Sequence, residues 1–305
     1  MKVLVFGAAG FVGRNLVEKL AREDKHELVG SDVVEDPFDN SVKYLKVNVL
    51  DRDHVFEAVR GSEVVVHLAA SPLVASLEDP TNNMKVNVEG TLNILDAARK
   101  HGVKKVVYSS ASSVVGTPKY NPVDEEHPCN PKTAYAVAKK TCEDYLRVYN
   151  EMYGLHYLVF RFFNVYGPRQ GQKSGALIPN LYRNLIENKE FQVYGDGTNT
   201  RDFIYVEDVA DFCCSAVKDP VENMIVNMGT GHGTTIIRLI SLGSKILDVK
   251  PKIAFKPPRP GEIGNFVADA RKLFRVFGNR SFTTLEEGLE TTFSWLREHP
   301  SWGPK

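Results

Sequence analysis

Apolar runs of strand length alternate with amphipathic segments along most of this chain. The predicted strands are the runs at 3–6, 26–32, 42–48, 63–70, 104–110, 155–163 and 224–229. Apolar residues at helical spacing predict helices in the stretch after Gly13 and at 51–59, 87–101, 131–150, 179–188, 206–217 and 285–298. Strands that alternate with helices indicate an α/β fold, a Rossmann-type doubly wound parallel sheet with helices on both faces.

Three glycines separate the first strand from the first helix, at Gly7, Gly10 and Gly13. In a dinucleotide-binding turn one glycine permits the tight turn, one leaves room for the pyrophosphate, and one lets helix and strand approach closely. Asp32 ends the next strand about 20 residues further on, which is the spacing of a ribose-binding carboxylate. Such a carboxylate repels a 2′-phosphate, so the sequence favours NAD over NADP. The alternative is a structural βαβ unit in which Asp32 only caps a helix.

The carboxyl ends of the predicted strands carry the residues suited to a ligand. Gly7, Asp32, Ala69 and Ser110 all fall at these ends. Ligands of open parallel sheets bind at that edge. We therefore expect one ligand site that joins several loops.

The regular alternation of strands and helices ends after the strand at 155–163. A loop at 170–175, shorter elements and a proline-rich stretch at 257–260 follow. We predict an NAD-binding domain over 1–165, completed by a returning strand near 203–230. A smaller, discontinuous and mainly substrate-binding lobe is predicted over 166–305, with the site in the cleft between the two.

Composition and charge narrow the possible partners. The 305-residue chain has 38 Lys and Arg against 38 Asp and Glu, so no net charge favours nucleic acid or a membrane surface. No apolar run approaches the roughly 20 residues of a membrane helix. The cysteines lack metal-ligand spacing, and we interpret them as reduced thiols of a cytoplasmic protein without a metal site. They are Cys129, Cys142, Cys213 and Cys214.

One predicted helix carries a candidate acid–base pair. Tyr135 and Lys139 lie four residues apart, which places a phenol and an ammonium on one helix face. The functional interpretation is that Lys139 favours the phenolate, so that Tyr135 exchanges protons near neutral pH. The alternative is a solvent-exposed helical pair. The helix follows the strand that ends at Ser110, on the expected ligand side, which favours the functional interpretation.

The motifs, taken in order, resemble the extended short-chain dehydrogenase/reductases. The resemblance is nearest to the nucleotide-sugar epimerase/dehydratase branch, in particular to UDP-glucose 4-epimerase-like proteins, and it covers nearly the whole chain. The matching segments are the glycine turn, Asp32, 67–70, 87–91, the serine-rich strand end, Tyr135 with Lys139, 164–169, 194–197, 201–210 and 259–262.

The resemblance implies roles for individual residues. Tyr135 and Lys139 match the catalytic pair. The implied cofactor contacts are Gly7, Gly10, Phe11, Val12, Gly13, Asp32, Asn48, Val49, Leu68, Ala69, Ala70, Asn87, Ser109, Tyr135, Lys139 and Phe162. The implied substrate contacts are Asn164, Leu177, Tyr194, Arg201, Arg259 and Glu262. Arginines suit the diphosphate because their planar fork pairs with phosphate oxygens.

The implied reaction is 4-epimerisation of a UDP-hexose through a transient 4-keto sugar. Tyrosinate takes the proton of the 4-hydroxyl while hydride passes to NAD+. The keto sugar then turns over, and hydride returns to its other face. The family also implies a homodimer through paired helices, here the segments 87–101 and 132–150.

The chain departs from the family at the end of its serine-rich strand. The catalytic Ser/Thr position is occupied by Ala111, and Val115 stands where the following tyrosine is expected. Ser110 or Ser112 is the candidate replacement hydroxyl. Ser112 and Ser113 also occupy the Asp-Glu position of the sugar 4,6-dehydratases, which argues against that reaction. The alternatives to an epimerase are a UDP-uronate decarboxylase, a 4-reductase, or a non-catalytic NAD-binding regulator.

Overall fold

The computed structural model describes residues 1–23, 25–38, 41–171, 175–258 and 264–300. The strands are β1 (Lys2–Phe6), β2 (Glu27–Asp32), β3 (Lys43–Lys46), β4 (Val64–His67), β5 (Lys105–Ala111), β6 (His156–Phe162), β7 (Asn164–Tyr166), β8 (Glu190–Tyr194), β9 (Thr200–Tyr205), β10 (Met224–Met228), β11 (Gly233–Thr235) and β12 (Lys252–Lys256). The helices are α1 (Phe11–Glu23), α2 (Arg52–Val59), α3 (Leu73–Glu78), α4 (Pro80–Met84), α5 (Gly90–Lys100), α6 (Ala134–Tyr153), α7 (Leu177–Ile186), α8 (Val206–Lys218), α9 (Ile236–Leu247), α10 (Arg271–Phe277) and α11 (Leu285–Glu298).

The chain divides into two compact units. The first contains residues 1–116, 129–162 and 209–226, and the second contains 117–128, 163–208 and 227–305. The assignment of the cofactor to one unit and of the substrate to the other stays a prediction. No helix within the described ranges is long and apolar enough to span a bilayer.

The central sheet has seven strands in the order β3-β2-β1-β4-β5-β6-β10. Its neighbouring strands from β3 through β6 pair in parallel. Helices flank the sheet, so the predicted Rossmann-type α/β fold is confirmed. The strand order reverses between β1 and β4, and ligands of such sheets bind at that reversal. The predicted edge strand at 42–48 is confirmed as β3.

The central strands β4 and β5 of the sheet are buried on both faces. All four residues of β4 and all seven of β5 are buried, as expected for parallel strands covered by helices. The register places Phe6 of β1 beside Ser31 of β2 and His67 of β4. The carboxyl ends of the three strands therefore lie level with one another.

Two predicted helices begin elsewhere than expected. The helix predicted over 87–101 is present as α5, but the predicted start is wrong, because helical structure begins at Pro80 and a π-helical turn over Lys85–Glu89 joins α4 to α5. The predicted start at 131 is also wrong, because the Thr133 side chain accepts from the amide of Ala136 and makes Ala134 the first helical residue. Gly154 then ends α6 in the left-handed conformation.

The second unit has its own apolar core. A sheet in the order β11-β9-β7 and a parallel pair of β12 with β8 form its β structure. Side chains from α7, α9 and α11 pack in one cluster with them, including Leu181, Leu239, Leu289 and Phe293, each at most 1% exposed.

Candidate active site

The glycine turn after β1 is shaped by close backbone approach. Gly7 has φ of +81°, where a side chain is strained, and a Cβ on it would lie 2.5 Å from the amide nitrogen of Ala69. Gly13 lies against the carbonyl group of Gly7 in the same way. The two glycines therefore allow an approach that side chains would block. Phe11 and Val12 form the first turn of α1, where amide groups lack intrahelical partners.

A cavity of about 540 Å³ lies beside this turn. The predicted cofactor residues that line it are Gly7, Gly10, Asp32, Asn48, Val49, Leu68, Ala69 and Ala70. Ser31, Leu50, Ser71, Asn82 and Val86 also line it and were not predicted, because no distinctive spacing marks them in the sequence. The glycine cradle and the carboxylate of Asp32 fit the pyrophosphate and ribose of a dinucleotide.

The carboxylate of Asp32 is fixed at the end of β2. Its Oδ2 accepts from the amide of Ala9 at 3.1 Å, and its Oδ1 accepts from the amide of Val33 at 2.7 Å. Burial raises the pKa of the Asp32 carboxyl, and the backbone hydrogen bonds act against that rise.

Replacement of Asp32 with serine is expected to weaken NAD+ binding by at least about tenfold, since charged hydrogen bonds contribute roughly 1.5–3 kcal/mol. Affinity for NADP+ should rise, because the repulsion of its 2′-phosphate is removed. Calorimetric titration with both dinucleotides measures the effect. Glu35→Gln is the matched control, since Glu35 is an exposed acid that pairs with Lys46. Equal losses in the two variants would contradict a ribose role for Asp32.

Asn87 holds the loop after β4, which lines the cavity. Its side chain accepts from the amide of Ser71 at 2.9 Å and donates to the Ser71 carbonyl at 3.0 Å and to Asn83 at 3.1 Å. The side chain is thus engaged with the loop after β4 rather than with the cavity. It lies in the π-helical turn, a feature common at functional sites that the sequence pattern does not reveal.

Tyr135 and Lys139 lie at the carboxyl end of β5. The ammonium of Lys139, which is 2% exposed, donates to the Ser109 carbonyl at 2.6 Å. Its Nζ lies 4.7 Å from the ring centroid of Tyr108 and 5.7 Å from that of Tyr135. A half-buried phenol beside a buried ammonium therefore replaces the alternative of an exposed helical pair.

Burial shifts the pKa values of both Tyr135 and Lys139. Burial raises the pKa of Tyr135 to about 12 and lowers the pKa of Lys139 to about 8. Burial of the phenol thus opposes the expected effect of Lys139 on the pKa of Tyr135, and the proton-exchange role of the pair stays a prediction. The physical reason for the rise is desolvation of the phenolate, which outweighs a lysine bonded to a carbonyl group.

The serines near Ala111 have different surroundings. The Ser110 hydroxyl donates to Glu143 at 2.6 Å, and the Ser109 hydroxyl donates to the His67 carbonyl at 3.2 Å. Ser112 begins a half-buried 3₁₀ turn over Ser112–Val115. Phe162 pairs with Ala111 in the register of β6 with β5. The Ser110 hydroxyl thus donates its proton in a hydrogen bond to the Glu143 carboxylate.

His67 is a buried polar residue that the sequence analysis did not single out. Its Nε2 lies 2.9 Å from the hydroxyl of Thr91, which itself donates to the Asn87 carbonyl. Burial, with a smaller contribution from Lys139, lowers the pKa of His67 to about 3. The imidazole is therefore neutral in the folded protein at physiological pH.

The free energy of unfolding is expected to fall as the pH drops below about 6.5, the ordinary pKa of His67. The unfolded chain binds a proton there that the folded protein binds only near pH 3, so the slope is about 1.4 kcal/mol per pH unit. Urea unfolding of the wild type and of His67→Gln over this range measures the difference. If the free energies of unfolding of the two proteins changed in parallel with pH, His67 would contribute nothing to the pH dependence of stability.

A second cavity of about 540 Å³ lies in the second unit. The predicted substrate residues Asn164, Leu177, Tyr194 and Arg201 all line it. The lining residues that the sequence analysis missed include Asn180, Arg183, Asn184, Gln192 and Asn199. Arg259 and Glu262 lie outside the described residues. Arginines and amides together suit a ligand with phosphates and a hydrogen-bonding ring.

The polar wall of this cavity is anchored by Asp202. The side-chain amide of Asn164 donates to the Asp202 carbonyl at 3.0 Å, and Arg201 donates to the Gly264 carbonyl at 2.8 Å. The buried Asp202 carboxylate accepts from the amides of Thr230, Gly231 and Ala268.

The described part of the chain contains no cluster of three or more His, Cys, Asp or Glu residues placed to bind a metal.

Comparison with known proteins identifies the family. The family model for the NAD dependent epimerase/dehydratase family matches residues 3–229. A UDP-glucose 4-epimerase from Mycolicibacterium smegmatis is 34% identical, over 97% of this chain and 99% of its own. The structure of a UDP-glucose 4-epimerase with UDP-glucose, from Thermotoga maritima, aligns with a TM-score of 0.91 at 31% identity, covering 99% of this chain and 100% of that one. A UDP-glucuronic acid 4-epimerase from Bacillus cereus, in complex with UDP-glucuronic acid and NAD, aligns with a TM-score of 0.90 at 27% identity, covering 98% and 100%.

The chain therefore belongs to the NAD dependent epimerase/dehydratase family. Its cofactor is NAD, and its class of reaction is that of the nucleotide-sugar epimerases and dehydratases. The predicted resemblance and the predicted cofactor are confirmed. The relatives act on more than one sugar, so the sugar is not given by the family.

Proposed function

We propose that this protein interconverts UDP-glucose and UDP-galactose by oxidation and reduction at carbon 4 of the sugar. The observation that carries the proposal is the Tyr135–Lys139 pair, in which a half-buried phenol lies beside a buried lysine that donates to the Ser109 carbonyl at the carboxyl end of β5. A proton-transfer pair at that end of a dinucleotide-binding sheet suits removal of a hydroxyl proton during oxidation. The similarity to UDP-glucose 4-epimerases supports a nucleotide sugar as substrate.

The residues of the chain would hold the cofactor at the glycine turn and at Asp32. NAD+ held there would supply a reversible hydride acceptor for carbon 4 of the sugar and a positive charge beside Tyr135. Tyr135 takes the proton of the 4-hydroxyl and later returns it. Lys139 orients the nicotinamide ribose and, with the positive charge, favours the phenolate against the desolvation that raises its pKa.

The cavity in the second unit would bind the UDP portion of the substrate. Arg201 is the cation proposed to face the diphosphate, together with Arg259, and Asn164 is a further donor. Tyr194 is proposed to contact the base, and Leu177 and Glu262 complete the set. No part of this binding requires a metal.

The decisive experiment is a product assay with the purified protein. UDP-galactose is supplied with and without added NAD+, and formation of UDP-glucose is followed. UDP-glucuronate, UDP-N-acetylglucosamine, and dTDP- and GDP-hexoses are supplied in parallel. A kcat/KM for UDP-galactose above that for the other sugars supports the proposal. Release of carbon dioxide from UDP-glucuronate would support the decarboxylase instead, and consumption of a reduced nicotinamide would support the 4-reductase.

The second candidate is a protein that binds NAD without turnover. Ala111 favours it, because the family's catalytic hydroxyl is missing there and the Ser110 proton is committed to Glu143. Saturable NAD+ binding together with silence toward every sugar in the assay would favour this candidate over the epimerase.

A homodimer is the proposed assembly. Apolar side chains are exposed on α3, α4 and α6, namely Leu73, Val74, Leu77, Met84, Val137, Tyr145 and Met152. Both α3 and α4 contact α6, so the three helices that carry these residues are neighbours in the first unit. Most apolar residues of 87–101 lie in the unit's own core, including Ile94, Leu95 and Ala98 of α5, so the contribution of that segment to the dimer stays a prediction.

The wild type is expected to elute at twice the 34.1 kDa of one chain in size-exclusion chromatography with light scattering. The double variant Leu77→Asp/Val137→Asp should elute at the mass of one chain, because charges at a buried interface are unfavourable. Ile186→Asp is the matched control, since Ile186 is also exposed and lies on α7. A wild type at the mass of one chain would contradict the proposal.

A further inference from the structure

A buried ion pair lies directly behind the proposed catalytic pair. The side chains of Glu143 and Arg161 are 1% and 3% exposed, and Arg161 Nη2 donates to Glu143 Oε2 at 2.8 Å. Glu143 Oε1 accepts from Arg161 Nε at 3.0 Å and from the Ser110 hydroxyl at 2.6 Å. One carboxylate thus connects α6, β5 and β6.

Helix α6 and strand β5 are also joined by Lys139 of the proposed catalytic pair. Lys139 of α6 donates to the carbonyl of Ser109, and Ser110, the next residue of β5, donates to Glu143, one turn further along α6. These two hydrogen bonds run in opposite directions between neighbouring positions. Together they hold the helix and the strand end in one alignment.

Stability does not account for a charged pair at this place. Apolar residues of similar volume are often as stabilising as a buried ion pair, because desolvation opposes the attraction of the charges. The Glu143 carboxylate does alter the surroundings of Lys139. The groups that face Lys139 are Tyr135, Cys142 and Glu143 on α6, Tyr108 on β5 and His67 on β4. Desolvation lowers the pKa of Lys139, and Cys142 and Glu143 oppose that effect.

We propose that Glu143 is a positioning residue: through Ser110 it fixes the strand end that holds Lys139, and its carboxylate places a negative charge one helical turn from Lys139 on α6. The inference rests on the proposed role of Tyr135 and Lys139 as the proton-transfer pair. It also gives Ser110 a task other than contact with the sugar, since its proton is donated to Glu143.

Three variants separate the two effects. Ser110→Ala removes the hydrogen bond and keeps both charges. Glu143→Gln removes the carboxylate, and Glu143→Leu/Arg161→Met removes both charges and leaves no unpaired ion, so it is the variant expected to fold if the single substitution does not.

The first readout is a titration of the lysine Cε resonances of the NAD-bound protein by ¹³C NMR, with Lys139→Met to assign the signal. The midpoint of Lys139 is expected to fall by about one pH unit in Glu143→Gln, since a nearby opposite charge shifts a pKa by roughly that amount. It should fall by less in the double variant, where the charge of Arg161 is also lost, and stay unchanged in Ser110→Ala. An unchanged midpoint in folded Glu143→Gln or in the folded double variant would overturn the electrostatic role.

The second readout is the pH profile of turnover. The alkaline limb of kcat should move down with the Lys139 midpoint in the charge-removing variants. Ser110→Ala should lower kcat by about tenfold at unchanged KM, because the reacting groups are misaligned. A wild-type kcat retained in Ser110→Ala would overturn the positioning role. A moving NMR midpoint in a protein that converts no sugar would instead mean that the proposed function fails while the electrostatic role stands.

Discussion

Replacement of Tyr135 with phenylalanine is expected to lower kcat by about 10²–10⁴-fold, the range that general acid–base catalysis contributes. The substitution removes one hydroxyl and keeps the ring that packs beside Lys139. The variant should therefore fold and still bind NAD+. Turnover of UDP-galactose, measured at saturating sugar, and NAD+ affinity, measured by calorimetry, test the two halves of this expectation.

Tyr153→Phe is the matched control for Tyr135→Phe. Tyr153 is the last residue of the same helix and is exposed, and the change deletes the same hydroxyl. It should keep wild-type turnover. If Tyr135→Phe retained more than about a tenth of the wild-type kcat, its phenol would not be the group that exchanges the substrate proton.

The prediction of the fold from the sequence succeeded because its signals are local. Each buried strand of the central sheet is one apolar run, and the glycine turn, Asp32 and the Tyr135–Lys139 pair are each defined by short spacings. Such patterns depend on the periodicity of the backbone, which the sequence contains directly. The helix over Leu285–Glu298 was predicted to the residue, since Thr284 and Glu287 form a capping box at its start.

The features that could not be predicted depend on residues distant in the sequence. Ser110 was a candidate catalytic hydroxyl, and its partner Glu143 lies 33 positions away on another element. The pKa of Tyr135 likewise depends on burial by the folded chain, which the local sequence does not show. The spacing to Lys139 suggested a lowered pKa, whereas desolvation raises it to about 12. A π-helical turn stands at Asn87 in place of a regular helix, and Asn83 and Asn87 both donate from there to the carbonyl of Ser71, which is distant in sequence.

Replacement of Gly13 with alanine is expected to have the largest effect on stability. A Cβ at this position would overlap the carbonyl oxygen of Gly7 and lie 2.8 Å from its carbonyl carbon and 3.0 Å from the Cα of Ala8. All three are backbone atoms, so relief requires that α1 move away from the turn. We expect a loss of more than about 3 kcal/mol in the free energy of unfolding, the upper end for overpacking, and a loss of NAD+ binding.

Two other glycines provide the matched comparison. A Cβ on Gly10 would lie 3.2 Å from the Gly7 carbonyl oxygen, so Gly10→Ala requires only a small shift. Gly102 has φ of +68° and open space around it, so Gly102→Ala costs about 1–2 kcal/mol from backbone strain alone. Gly102→Ala should leave NAD+ binding intact, and Gly10→Ala should weaken it, since Gly10 lines the cavity. Chemical unfolding and NAD+ titration of the three variants test the order. If Gly13→Ala lost no more stability than Gly102→Ala, the close approach of α1 to the turn would not be what requires glycine there.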